Sequence, residues 1–123
     1  MIQLNYRDAK PIYKQIKDGM RRLVLIGAIL PGEPVIPVLE LSSKLAINPT
    51  AIGRAYQELE EEGYLKTGPD GVILVTNVER RKESRREELM DEFDCVVGEL
   101  NDLAVPEEEL LVRLERLMNG GKG

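Results

Sequence analysis

Apolar positions along this chain change their period several times, and each change marks an element. Val38, Leu41 and Leu45 stand at i, i+3 and i+7, the stripe of a short helix. Ile52, Ala55, Tyr56 and Leu59 define the inner face of a second helix, with Thr50, Gly53, Arg54 and Gln57 on the opposite side. Asn48 is a good N-cap, and Pro49 follows at the first helical position, where its missing N–H costs nothing. Gly63 closes that helix. Tyr64–Thr67 and Val72–Val75 then flank Gly68-Pro69-Asp70-Gly71, a breaker-rich turn, and read as a hairpin. Helix, tight turn, helix and hairpin in that order predict a winged helix-turn-helix, a shape that lays its second helix in the major groove of DNA.

Upstream, Pro11 to Ile26 reads as a first helix with Ile12, Ile16, Met20 and Leu23 inward; Gly27 ends it, and Pro31–Pro37 is a proline-rich connector. Downstream, composition shifts at Asn77–Val78. A long charged helix starts at Glu79 and carries Leu89, Phe93, Val96, Val97, Leu100 and Leu103 in heptad-like steps. Pro106 interrupts it. Glu107-Glu108-Glu109 then forms the acidic first turn of another helix, with Leu110, Leu111, Leu114, Leu117 and Met118 along one side, and Gly120–Gly123 as a frayed end.

The expected fold is mainly α with a small β-wing. Residues 1–77 form a winged helix-turn-helix DNA-binding domain, and residues 78–123 a C-terminal two-helix dimerisation hairpin. A hairpin of this size does not sustain its own core. Its stripes must be covered by a second copy of the chain or by the first domain. The pairing reading makes Leu89, Phe93, Val96, Val97, Leu100, Leu103, Leu110, Leu114 and Leu117 the dimer interface. Continuous leucine stripes are also expected to leave no small-molecule pocket of roughly 300 Å³ between the two helices.

Composition narrows the chemistry. The chain has no histidine and a single cysteine, Cys95, so Cys/His zinc patterns are impossible and the commonest acid–base group is missing. It shows no glycine-rich phosphate loop and no nucleophile–base pair. The expectation is no enzyme, no cofactor and no metal, with Glu60–Glu62 and Glu107–Glu109 as solvated surface. One cysteine fits a reducing cytoplasm. The longest apolar stretch, Leu23–Leu30, is broken by Gly27, and Tyr6–Lys10 carries both signs of charge. A cytoplasmic protein without a membrane partner or secretory signal is therefore expected. The net charge of −5 does not favour DNA, yet residues 1–77 hold nine basic and nine acidic residues. The whole deficit lies in residues 78–123, so a neutral reading domain remains free to present a positive face.

The runs Asn48-Pro49-Thr50, Arg54-Ala55-Tyr56-Gln57-Glu58-Leu59-Glu60 and Glu62-Gly63-Tyr64-Leu65 resemble the GntR family of bacterial repressors. Pro11–Ile16 and Gly27–Glu33 resemble the family's opening helix and connecting loop. Motifs cover roughly residues 9–77 and architecture the rest. The short tail is similar to the YtrA-like subfamily, since other subfamilies carry a large effector domain for which this chain has no room. The resemblance implies a homodimeric repressor of a palindromic double-stranded DNA operator, with no effector specified.

Thr50, at the free N–H groups of the recognition helix, and Arg54, on the same face, are the leading DNA contacts. Lys44 and Lys66 are phosphate contacts or plain solvated charges. Asn48, Gly53, Thr67 and Gly68 complete the candidate set. Several positions depart from the family pattern: Leu39 in place of an arginine, Ala51 in place of a threonine, Gly53 without a side chain, and Ala46 at a turn often held by glycine. Pro69 and Asp70 occupy a wing tip that is typically basic. These departures favour the alternative, a winged-helix protein-interaction module with weakened or lost DNA binding. The basic run Arg80-Arg81-Lys82 with Arg85-Arg86 offers flanking phosphate contacts or, balanced by Glu79, Glu83, Glu87 and Glu88, is a solvated helix start, and the charge balance favours the second.

Overall fold

The computed structural model describes residues 2–120; Met1 and Gly121–Gly123, part of the expected frayed end, lie outside the described residues. The elements are α1 (Ile12–Leu25), α2 (Val38–Leu45), α3 (Pro49–Glu61), β1 (Leu65–Thr67), β2 (Ile73–Val75), α4 (Glu79–Asp102) and α5 (Glu107–Gly120). This is the mainly helical, winged arrangement expected. The chain divides into two compact units, Met1–Glu83 and Ser84–Gly123.

In the first unit, α1 buries Ile16, Met20 and Val24, a stripe in steps of four. Ile12 and Leu23, expected inside, are only partly covered, and Val24 takes the inner place instead of Leu23. Helix α2 buries Leu41 and ends on Ala46, at φ 54° and ψ 46°. A left-handed alanine costs about 1 kcal/mol. The Ser42 hydroxyl donates to the Ile47 carbonyl at 2.5 Å and helps to hold this turn.

Helix α3 starts as its sequence dictates, with the Asn48 side chain accepting the Thr50 N–H at 2.8 Å and Pro49 in the first turn. It buries Ile52, Ala55, Tyr56 and Leu59. At its far end Gly63 adopts φ 87°, and the N–H groups of Gly63 and Tyr64 donate to the carbonyls of Glu60 and Leu59 at 3.0 and 2.9 Å. These two bonds satisfy carbonyls that a helix end would otherwise orphan. The positive φ is what calls for glycine here; a Cβ would also meet the Arg81 guanidinium at 2.6 Å, but that flexible side-chain end can swing aside.

The wing strands pair antiparallel with Leu65↔Val75, Lys66↔Leu74 and Thr67↔Ile73 in register, each strand one residue shorter at its start than expected. Gly68 N–H closes the turn onto the Val72 carbonyl at 2.7 Å. The proline-rich connector is more than a connector. Pro34 bridges to Leu74, the Val75 N–H donates to the Glu33 carbonyl and the Val35 N–H to the Ile73 carbonyl, both at 2.9 Å. Pro34 falls between these bonded positions, where its absent N–H is not needed.

In the second unit, α4 gives way to α5 through Ala104 at φ 61° and Pro106, whose carbonyl accepts the first amides of α5. No side chain of α4 or α5 is buried.

The Tyr56 hydroxyl donates to the Ile36 carbonyl at 2.7 Å, and burial pushes its pKa up to about 12. The unfolded phenol ionises near its ordinary value of about 10. Its contribution to stability is therefore complete below pH 10 and is lost as pH rises towards 12. Tyr56→Phe should cost about 1 kcal/mol at neutral pH through the lost hydrogen bond. Urea titrations from pH 8 to 12 should show the wild type's margin over this variant shrinking only in the upper part of that range.

Candidate nucleic-acid interface

With one face of α3 sealed, the opposite face carries Thr50, Arg54 and Gln57 exposed to solvent. Gly53 lies among them, and a Cβ there would meet nothing within 4 Å. Neither packing nor backbone conformation requires this glycine. Lys44, late in α2, and Lys66, in β1, are also exposed. Asn48 is committed to its capping bond. Thr67 is committed too: its N–H and hydroxyl both donate to Glu60 Oε1 at 3.0 Å. Gly68 sits beside the Asp70 carboxylate, which itself accepts the Val72 N–H at 3.1 Å. The acid at the wing tip thus has a structural task in the turn. Leu39 points outward and is 74% exposed, the orientation its position predicts.

Arg54 does not stand free. Its Nε lies 3.2 Å from Glu58 Oε2, and its guanidinium sits 3.7 Å above the centroid of the Tyr13 ring. Glu58 also takes Lys17 at 3.1 Å, Lys17 pairs again with Glu62, and Glu62 reaches Arg21 at 3.5 Å. Arg21 continues to Asp18 at 2.7 Å, and Asp18 to Lys10 at 2.8 Å. Seven charges of alternating sign therefore run along the α1–α3 seam and end on Arg54. The Lys17 hydrogen bond, aided by Arg54, holds the Glu58 carboxyl below the usual carboxylate range against partial desolvation. Burial works against the Lys17 charge, but Glu62 and Glu58 outweigh it and raise its pKa. None of Tyr13, Lys17 or Glu58 belongs to the candidate set drawn from sequence. A signal was present, because Lys17 and Arg21 on α1 repeat at the same spacing as Glu58 on α3 and Glu62 at its C-cap.

In the tail, Leu89, Phe93, Val96, Leu103, Leu114 and Leu117 are 44–75% exposed, and Val97, Leu100 and Leu110 are half-buried. The expectation of no pocket fails in the single chain. Phe93, Val96, Val97, Leu100, Leu110 and Leu114 line an apolar cleft of about 390 Å³. Two helices alone do not supply enough side chains to fill the space their stripes enclose. Among the described residues no helix is long and apolar enough to cross a membrane.

No family model matches the chain. A GntR family transcriptional regulator from Listeria monocytogenes superposes with a TM-score of 0.75 at 30% identity, over 90% of this chain and 98% of that one. The chain belongs to the GntR family. Residues of this GntR protein are also 42% identical, over 67 positions, to the HTH-type transcriptional repressor YtrA of Bacillus subtilis. That match covers 54% of the chain and 52% of YtrA, so the chain spans about half the length of this curated relative. YtrA from Sulfolobus acidocaldarius, a GntR-family transcription factor, gives a TM-score of 0.61 at 28% identity over 73% of this chain and 95% of that one. The family is one of transcriptional regulators and not of enzymes.

Since Gly53 is helical and its surroundings are open, Gly53→Ala should stabilise the protein by up to about 1 kcal/mol. Chemical denaturation of the two proteins at neutral pH checks this.

Proposed function

We propose that this chain is a cytoplasmic, DNA-binding transcriptional regulator that represses as a homodimer on a palindromic operator. The observation that carries the reading is the division of α3, with Ile52, Ala55, Tyr56 and Leu59 sealed inside and Thr50, Gly53, Arg54 and Gln57 left outside. Residues 1–77 act as the reading domain and residues 78–123 as the pairing tail. The N-terminal turn of α3, with Thr50, meets a phosphate, and Arg54, Lys44 and Lys66 meet others. Asn48, Gly53, Thr67 and Gly68 line the same surface, although Thr67 contributes through the wing turn, its polar groups being held by Glu60. Base reading is weak, because Leu39 and Gly53 supply no polar side chain. Two recognition helices about one DNA turn apart, or a multiple of it, then block polymerase access.

The unburied stripes of α4 and α5 and the apolar cleft between them support pairing with a second copy, whose own leucines and Phe93 would fill the space. Leu100→Glu places a carboxylate in that cleft and should dissociate the dimer. Sedimentation decides this: a folded Leu100→Glu protein as dimeric as its parent removes the tail from the interface.

DNA binding is tested by affinity across a salt series. A phosphate contact contributes about 0.9 to the slope of log affinity against log salt, so Arg54→Ala should lower it by about one per subunit. Should Arg54→Ala instead erase discrimination between operator and scrambled duplex while sparing scrambled binding, Arg54 reads a base. If the wild type binds no duplex at low salt, the interaction-module reading replaces this one.

A further inference from the structure

We propose that Tyr13 is a positioning residue for DNA binding: its ring face, with the Glu58 carboxylate, holds Arg54 back along α1 so that its guanidinium meets backbone phosphate and stays off the base edges. The proposal rests on the reading of α3 as the recognition helix and deepens it.

The geometry argues for a built support. An arginine on an open helix face normally samples many rotamers and loses that freedom on binding. Arg54 is 59% exposed, yet it is gripped from two directions. The Tyr13 ring takes one face of the guanidinium at 3.7 Å, and Glu58, one turn further along α3, takes Nε at 3.2 Å. Tyr13 draws the side chain towards α1, and Glu58 draws it along α3 away from the N-terminal turn. With one face stacked and Nε committed, the terminal amino groups remain, which is the fork that fits a phosphate. Glu58 does not cancel the charge it holds, because Lys17 already shares that carboxylate at 3.1 Å. Four cations and three carboxylates make up the seam, which therefore carries one surplus positive charge and ends on a cation at each extreme, Arg54 being one of them.

The test uses the full chain and a mixed-sequence duplex over a salt series, with Tyr13→Leu, Tyr13→Phe, Arg54→Ala and the Tyr13→Leu/Arg54→Ala double variant. Tyr13→Leu should weaken binding roughly two- to five-fold, the range of an exposed cation–π contact. Tyr13→Phe keeps the ring face and should recover that loss. In the Arg54→Ala background, Tyr13→Leu should have no further effect. An equal loss from Tyr13→Leu in both backgrounds, or a Tyr13→Phe protein as weak as Tyr13→Leu, overturns the proposal while leaving the Arg54 phosphate contact standing. An Arg54→Ala protein with unchanged affinity and slope removes the phosphate contact itself. One measurement needs no stable variant: the Arg54 Nε–H proton of the free wild type should be ring-current shifted upfield, and an unshifted resonance overturns the stacking.

Discussion

Helix α3 is locked about its own axis, because Ile52, Ala55, Tyr56 and Leu59 are sealed where it meets α1, α2 and β1. Rotating it by a single residue, about 100°, would bring Arg54 and Glu58 into the apolar interior in one sense, or Gln57 and Glu60 in the other. Truncating one such buried side chain typically costs 2–5 kcal/mol, so the orientation is heavily defended. The outward direction of Thr50, Gly53, Arg54 and Gln57 follows from burial on the other side. Presentation of this exposed surface is thus a by-product of core packing, and loop chemistry adds only the fine adjustment at Asn48 and Gly63.

Electrostatics on the same helix runs against its dipole at one end. Glu58, Glu60, Glu61 and Glu62 crowd the C-terminal turns, where negative charge is unfavourable. Lys17 and Arg21, side by side on α1, offset two of these acids, and the Thr67 amide and hydroxyl satisfy a third. Single exposed ion pairs contribute little to stability. Their value here is local: they offset acids that the sequence places at the C-terminal end, while the N-terminal turn carries no acid at all. A domain with no net charge acquires a usable polarity in this way.

The helices were legible because their signals are local: the Asn48-Pro49 start, the glycines at two helix ends and the stripe on α3 each need only a few neighbouring residues. The choice of Val24 over Leu23 was not legible, since both are apolar neighbours and only the position of the packed surface separates them. The pairing of Pro34 with Leu74 was hidden for the opposite reason, because prolines argue against strands unless the partner's hydrogen-bonding pattern is known. Arg54 was identifiable as an outward residue on α3. Its partner Tyr13 lies forty-one positions away and was not, because sequence spacing does not say which turns of α1 and α3 stand abreast. Similarly, the apolar stripes of the tail were visible, but the cleft between them depends on how far apart two backbones sit.

Pro34 also has a consequence for the side of the wing that faces away from β2. The segment around it lies along β2, and on its outer side the central amide that a further strand would need is missing. An uncovered β2 edge would be a template for stacking identical molecules into open-ended aggregates. With Pro34 in place, that route is closed by covalent chemistry and not by charge. On the β2 side, a single ring closure thereby ends the sheet.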